Sequence, residues 1–152
     1  MSRPRAAKAA GLAYEKACGR ALAPIGPTRG QWFSFEDSSG PGWCQTDFLL
    51  PLHEAKTILV VEVKLTWTLE GLEKLETFYL PIVAKALGAR VAGLVLCKNL
   101  TAEAATAGLI AESWPAALSL ALAGHLPSLA WRGAKGPALL GPQAPPVRAR
   151  AA

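Results

Sequence analysis

Residues 57–64 constrain the fold more than any other stretch of this chain. They are almost all β-branched or aliphatic until two charged residues, Glu62 and Lys64, close the run. Such a run predicts a central strand that is covered on both faces by other elements. Residues 43–50 are interpreted as a second buried strand, in which Asp47 is the charged residue. Burying an unpaired charge is costly, so charged residues inside such strands are usually paired or bind a metal.

A turn centred on Glu54 and Ala55 would make these two strands antiparallel. Counting outward from that turn places Asp47 opposite Glu62. Glu62 and Lys64 are two residues apart, so on a strand they share one face. Two carboxylates and an ammonium group would then meet at one point on the sheet, an arrangement suited to Mg²⁺-assisted chemistry on a phosphodiester.

The remaining pattern predicts an α/β domain with a central mixed β-sheet flanked by helices. Helical spacing and caps predict helices over residues 5–23, 68–87 (kinked or divided at Pro81), 101–112 and 115–124. Further strands are expected over 31–35, 90–97 and 128–131. The strand–helix–strand order from the third to the fourth strand predicts a right-handed parallel crossover. Residues 1–132 therefore form one domain, and the Gly-, Pro- and Ala-rich residues 133–152 are expected to be a flexible tail.

Composition limits the class of protein. A chain of 152 residues with 51% hydrophobic residues suits one domain, and a net charge of +5 favours a polyanionic partner. Neither a signal-peptide core nor a membrane span is evident, which predicts a soluble, cytoplasmic protein. The three cysteines fit no zinc spacing or disulfide framework and are expected to be small buried hydrophobes: Cys18, Cys44 and Cys97.

The order of elements and the positions of the charges resemble the PD-(D/E)XK nuclease superfamily over about residues 10–100. Glu62-Val63-Lys64 fits the E-x-K motif of that family, and Asp47 fits its upstream aspartate. Glu15 fits a first-helix glutamate common in archaeal-type Holliday junction resolvases and related small phage nucleases. Thr46 stands where many relatives have proline. Leu75 stands where helicase-linked members have glutamine, which favours the resolvase-like branch.

The resemblance implies a restriction-endonuclease-like fold and the hydrolysis of DNA phosphodiesters. Asp47, Glu62, Glu15 and the Val63 carbonyl would bind Mg²⁺, for which Mn²⁺ could substitute. Lys64 would orient the attacking water or stabilise charge on the phosphate. The leading substrate is a four-way DNA junction, and its symmetric cleavage would need a homodimer. Such an enzyme would act inside a bacterial or archaeal cell and could be phage-encoded.

Five residues are predicted to contact DNA: Arg20, Arg29, Gln45, Trp67 and Lys98. Trp32, Trp43 and Trp67 lie near strand ends, where stacking on bases competes with core packing, the favoured interpretation. The helix around residues 72–83 and the alanine-rich segment after residue 101 are candidate dimer surfaces, with core burial as the alternative.

Two other functions stay open. One is a different nuclease of the same fold that acts on flaps, single strands or restriction sites. The other is a module that binds DNA without cutting it. Each site residue also has a structural alternative: the Glu62–Lys64 pair could be a solvated strand end, Asp47 could cap a turn, and Glu15 could pair with a neighbouring lysine.

Overall fold

A computed structural model of the chain describes residues 3–107 and 109–132, and the tail expected over 133–152 lies outside these residues. The helices α1 to α5 are Arg3–Leu22, Leu69–Lys74, Leu80–Leu87, Ala102–Ala107 and Trp114–Leu122. A 3₁₀ turn (Ala23–Ile25) follows α1, and a π-helical turn (Leu75–Tyr79) connects α2 to α3. The strands are β1 to β8: Thr28–Arg29, Trp32–Asp37, Gly40–Gln45, Phe48–Leu52, Thr57–Thr66, Arg90–Asn99, Leu109–Ala111 and Pro127–Ala130. None of the described helices is long and apolar enough to cross a membrane.

Six strands form a mixed sheet in the order β1-β4-β5-β6-β8-β7. The β4 and β5 strands form the antiparallel hairpin that the sequence predicts, and β5 is parallel to β6, as expected for a crossover through a helix. The apolar strand β5 lies inside the sheet because both of its edges are paired. An α/β architecture with a mixed sheet flanked by helices is therefore confirmed.

Side chains alternate along β5 between two cores, one on each face of the sheet. Leu59 and Val61 pack with residues of α1 and α5. Val60 packs on the other face with residues of the α2–α3 segment, among them the fully buried Leu75 and Val83. Leu75 and Val83 therefore belong to the core. At these two positions core burial, the alternative to a dimer surface, is confirmed. The three cysteines are buried and free, as predicted.

The helix predicted over residues 68–87 is continuous but changes its winding before Pro81. The Leu80 N–H donates to the carbonyl of Leu75, five residues back, which makes a π-helical turn. Proline lacks an N–H and crowds the carbonyl four residues earlier, so a change of winding is expected near it. Pro81 then lies at the first turn of α3, the part of a helix where proline is tolerated.

Two sequence predictions are wrong in detail. The single strand predicted over residues 43–50 is two strands, because the Thr46 N–H and Oγ1 both donate to the Gln31 carbonyl, at 3.0 and 3.3 Å. β3 therefore pairs with β2 in a separate two-stranded sheet, while β4 joins the main sheet. The helix predicted over 101–112 ends at Ala107, because residues 109–111 instead pair in parallel with β8.

Candidate active site

Asp47 and Glu62 lie beside each other where β4 and β5 begin to diverge. The register pairs Phe48 with Val61, and its continuation by one residue places Asp47 opposite Glu62, as the sequence predicts. Asp47 Oδ2 accepts a 2.8 Å hydrogen bond from the Val63 N–H. A residue in a strand directs its N–H and C=O to the same side. The Val63 carbonyl therefore points to the same side of β5 as Asp47.

Both carboxyls are costly to ionise in the metal-free protein. Burial is the largest cause that raises the pKa of Asp47, opposed by the hydrogen bond from Val63. Burial also raises the pKa of Glu62, and the neighbouring Asp47 raises it further, while Lys64 lowers it. Glu62 is 6% exposed. When both carboxyls are ionised, neither can donate a hydrogen bond to the other. Glu62 Oε2 is buried and has no hydrogen-bond partner among the described residues.

Lys64 supplies the positive charge next to this pair. Its Nζ lies 3.7 Å from Glu62 Oε1, and its side chain is 38% exposed, so the ammonium group faces both the carboxyls and the solvent. Gly71 in the first turn of α2 makes room for it. A Cβ at Gly71 would lie 3.2 Å from Lys64 Cε and 3.1 Å from the Oγ1 of the helix cap Thr68. Gly71 is a site neighbour that the sequence analysis missed, although a glycine inside a helix is a signal of close packing.

Lys74 and Tyr79 complete the electrostatic environment of the pair. Lys74 lowers the pKa of Glu62, and its Nζ lies 5.5 Å from the centre of the Tyr79 ring. Burial, followed by the charges of Glu62 and Asp47, raises the pKa of Tyr79 to about 12. Tyr79 therefore stays protonated at neutral pH. Lys74 was not predicted as a site residue, because only the tertiary packing of α2 turns it toward β5.

Glu15 is near the site without joining the carboxyl pair. It contributes to the raised pKa of Asp47, yet its Oε1 lies 3.9 Å from a terminal guanidinium nitrogen (NH2) of Arg29. Within residues 3–107 and 109–132, no three His, Cys, Asp or Glu side chains come close enough together to hold a metal ion. The arrangement therefore does not assemble Glu15 with Asp47 and Glu62 as a three-carboxylate group.

The residues that do come together fit one hard divalent cation. Two carboxylates and a main-chain carbonyl from Val63 are oxygen donors of the kind that Mg²⁺ and Mn²⁺ prefer. Mg²⁺ is usually bound through one or two carboxylates and keeps several waters or phosphate oxygens as its other ligands. The unpartnered Glu62 Oε2 is a donor atom that a cation would satisfy.

Arg20 and Arg29, both predicted to contact DNA, line one cavity of about 550 Å³ whose lining also includes Lys16 and Phe48. The Arg29 guanidinium carbon lies 5.8 Å from the centre of the Phe48 ring. Phe48 packs with Val61 in the core on the α1 face of the sheet, so this cluster of three cations lies on the α1 face. The cluster is connected to Asp47 through Gly30, which follows Arg29 and donates its N–H to the Asp47 carbonyl. Lys16 was not predicted to contact DNA, and its place in this cluster comes from the packing of α1 on the sheet.

The structure moves two of the predicted DNA contacts away from the site. Trp67 is 1% exposed and donates through Nε1 to Ser128 Oγ at 2.9 Å, so it belongs to the core and cannot stack on a nucleotide. Lys98 is exposed but lies on the face of the sheet opposite to Lys64. Cys97 is in register with Lys64 and therefore shares its face, and the next residue, Lys98, points to the opposite face. It lines a cavity of about 440 Å³ against α1.

Gln45 is exposed and its Nε2 donates to the Gly30 carbonyl at 3.0 Å. The Gly30 N–H in turn donates to the Asp47 carbonyl at 3.0 Å. Gln45 therefore supports the loop that positions Asp47. The favoured expectation of core packing is wrong for Trp32 and Trp43, which are 56% and 70% exposed.

Comparisons with protein-family models, curated proteins and solved structures find no match to this chain.

Proposed function

We propose that this protein is a metal-dependent DNA endonuclease of the PD-(D/E)XK type, with a restriction-endonuclease-like fold. One observation carries the proposal. The Asp47 and Glu62 carboxyls lie side by side where two strands of a mixed sheet diverge, with the Lys64 ammonium group 3.7 Å from Glu62. A purely structural cluster would not be expected to keep two buried carboxyls together with one oxygen unpartnered.

The reaction is the attack of water on phosphorus, with cleavage of one P–O bond of the DNA backbone. A bound Mg²⁺ would lower the pKa of a coordinated water and shield the charge of the scissile phosphate. Asp47 and Glu62, with the Val63 carbonyl, would hold the ion. Lys64 reaches from the carboxyls toward solvent, where it can orient the water or donate to a phosphate oxygen as negative charge develops.

Branched DNA is the proposed substrate, with the four-way junction as its leading form. Lys16, Arg20 and Arg29 form a cluster of positive charge on the α1 face of the sheet, which suits backbone phosphates on either side of the cleaved one. Paired symmetric cuts require two active sites, so this substrate implies a two-fold homodimer. Arg29 is held by Glu15, and this gives Glu15 a positioning role at the edge of the site.

The test is cleavage of an end-labelled four-way junction in Mg²⁺, beside a flap and a linear duplex of the same sequence. The native chain is compared with Glu62→Gln and with Glu103→Gln, which makes the same chemical change on the exposed surface of α4. Paired nicks in the junction, retained in Glu103→Gln and lost in Glu62→Gln, are the expected result.

The other outcomes separate the alternatives. Cleavage of flaps or linear DNA in place of junctions would retain the active site and replace the substrate. Binding of all three DNAs with no cleavage, in Mn²⁺ as well as in Mg²⁺, would reject the nuclease and favour a DNA-binding module.

A further inference from the structure

Two tryptophans are exposed on one face of the β2–β3 hairpin. The register pairs Trp32 with Gln45 and Ser34 with Trp43, so all four side chains lie on the same face. The other face of the hairpin packs into the protein through the buried side chains of Phe33 and Cys44. The hairpin thus has enough apolar side chains for its own packing, and the two exposed indoles add nothing to its core.

Both indoles are close to Asp47, Trp43 along the chain and Trp32 through hydrogen bonds between neighbouring residues. Trp32 follows Gln31, whose carbonyl accepts both hydrogen bonds from Thr46, and Thr46 is followed by Asp47. Trp43 lies four residues before Asp47, which is at most about 13 Å along an extended chain. At the duplex rise of 3.4 Å per nucleotide this corresponds to roughly four nucleotides, and to fewer in a stretched strand.

Charge along the hairpin changes sign from its base to its tip. Arg29 precedes Trp32 by three residues at the base and lies in the cluster with Lys16 and Arg20. Glu36 and Asp37 are exposed at the tip. A polyanionic strand is therefore attracted to the base of the hairpin, next to Trp32, and repelled from the tip.

We propose that the face formed by Trp32, Ser34, Trp43 and Gln45 is a stacking platform for unpaired nucleobases of the DNA substrate. An indole stacks on any base, but bases inside a duplex are already stacked and only unpaired ones can reach it. The cations at the base of the hairpin hold the backbone of the same strand. This inference rests on the proposed nuclease function and narrows its substrate class: branched DNA in which nucleotides within a few positions of the scissile phosphate are unpaired or become unpaired at the branch.

The test measures binding in a chelator, so that cleavage does not interfere. Three of the five tryptophans, Trp67, Trp114 and Trp131, are buried, so quenching of the red-shifted tryptophan emission reports mainly on Trp32 and Trp43. Oligodeoxythymidylate, a fork with single-stranded arms and a blunt duplex are titrated into the native chain and into Trp32→Ala, Trp43→Ala and Trp43→Phe. Leu122→Ala, which removes an exposed apolar side chain on α5, is the matched control.

Each alanine variant should bind oligodeoxythymidylate and the fork about 5- to 100-fold more weakly, as expected for one lost base stack, with duplex binding changed less than about 2-fold. Trp43→Phe should recover most of the loss, and Leu122→Ala should match the native chain. Unchanged single-strand binding in both alanine variants, with thermal unfolding as in the native chain, would overturn the platform. So would loss of self-association in those variants, because the face would then be a protein interface.

The outcomes also distinguish this inference from the proposed function. If the native chain cleaves junctions and the tryptophan variants cleave and bind as it does, only the platform is rejected. If the native chain binds none of the three DNAs, both the platform and the nuclease are rejected.

Discussion

The main-chain N–H of Val63 donates a 2.8 Å hydrogen bond to Oδ2 of Asp47, sixteen residues earlier in the chain. This bond joins two residues of the proposed metal site before any metal is bound. It fixes the carboxyl of Asp47 against β5, next to Glu62. Asp47 therefore has a structural role and a chemical role that different substitutions can separate.

Asp47→Asn should separate them. The amide oxygen can still accept from Val63, while the negative charge next to Glu62 is removed. We expect cleavage to fall by at least about 100-fold, with a free energy of unfolding equal to that of the native chain or higher. Asp47→Ala should lose as much activity and also be less stable than the Asn variant by about 1–3 kcal/mol, because the Val63 N–H is left unpaired.

Junction cleavage and urea unfolding, each in Mg²⁺ and in chelator, test this pair of variants. Equal stabilities of the Asn and Ala variants would show that the hydrogen bond contributes nothing to the fold. Near-native cleavage by Asp47→Asn would remove Asp47 from the metal site.

The metal-free protein should become less stable as the pH rises. Burial and Asp47 raise the pKa of Glu62 from 4.5 to about 8, so between these values the folded state binds more protons than the unfolded state. The stabilising contribution is complete below about pH 4 and is lost as the pH rises through 8. Glu62→Gln removes the ionisable group, so its stability should exceed that of the native chain by about 1–3 kcal/mol at pH 9.

Urea unfolding in chelator at pH 5, 7 and 9 measures this dependence. Mg²⁺ should restore the stability of the native chain most strongly at pH 9 and should have little effect on Glu62→Gln. A native stability that rises from pH 5 to 9 in chelator would show that Glu62 is ionised without penalty.

The central hairpin and the position of its charges could be predicted because both are local. The apolar run of β5 identifies the strand, and counting from a short turn is enough to place Asp47 opposite Glu62. The departure of β2 and β3 from the main sheet could not be predicted in this way. It depends on two hydrogen bonds between Thr46 and Gln31, which are fifteen residues apart, and no periodic pattern records such a contact.

The error at Lys98 has a different cause. Its place at the end of β6 was predicted, but its face depends on the parallel register that pairs Lys64 with Cys97. A one-residue difference in register moves every side chain to the opposite face. The exposure of Trp32 and Trp43 was missed for a related reason, because the alternation of β2 and β3 could be assigned only after they were known to form a separate hairpin.

Gly71→Ala should reduce turnover without weakening the fold. The added methyl group would crowd Lys64 Cε, at 3.2 Å, and the flexible lysine would move its ammonium group away from Glu62. We expect kcat to fall about 3- to 30-fold with KM nearly unchanged, since the ammonium group acts mainly on the developing charge. Removing a glycine from a helix offsets much of the steric cost in stability.

Gly11→Ala is the matched control, because a Cβ at Gly11 in α1 would meet none of the described atoms within 4 Å. It should raise the free energy of unfolding by about 0.5–1 kcal/mol and leave kcat unchanged. Native kcat in Gly71→Ala would indicate that the position of Lys64 tolerates this displacement.

Arg20 should contribute to DNA binding as a phosphate contact. Arg20→Gln removes one cation from the cluster with Lys16 and Arg29, so the slope of log affinity against log salt should become shallower by about one unit. The matched control is Arg90→Gln. Arg90 is exposed at the start of β6 and pairs with Thr57, at the end of β5 remote from Glu62. Its loss lowers the net charge equally but should leave the slope within about 0.3 of the native value. Junction binding in chelator from 50 to 300 mM salt measures both slopes. Equal changes in the two variants would mean that the DNA responds to the net charge of the protein and that the cluster does not contact phosphate.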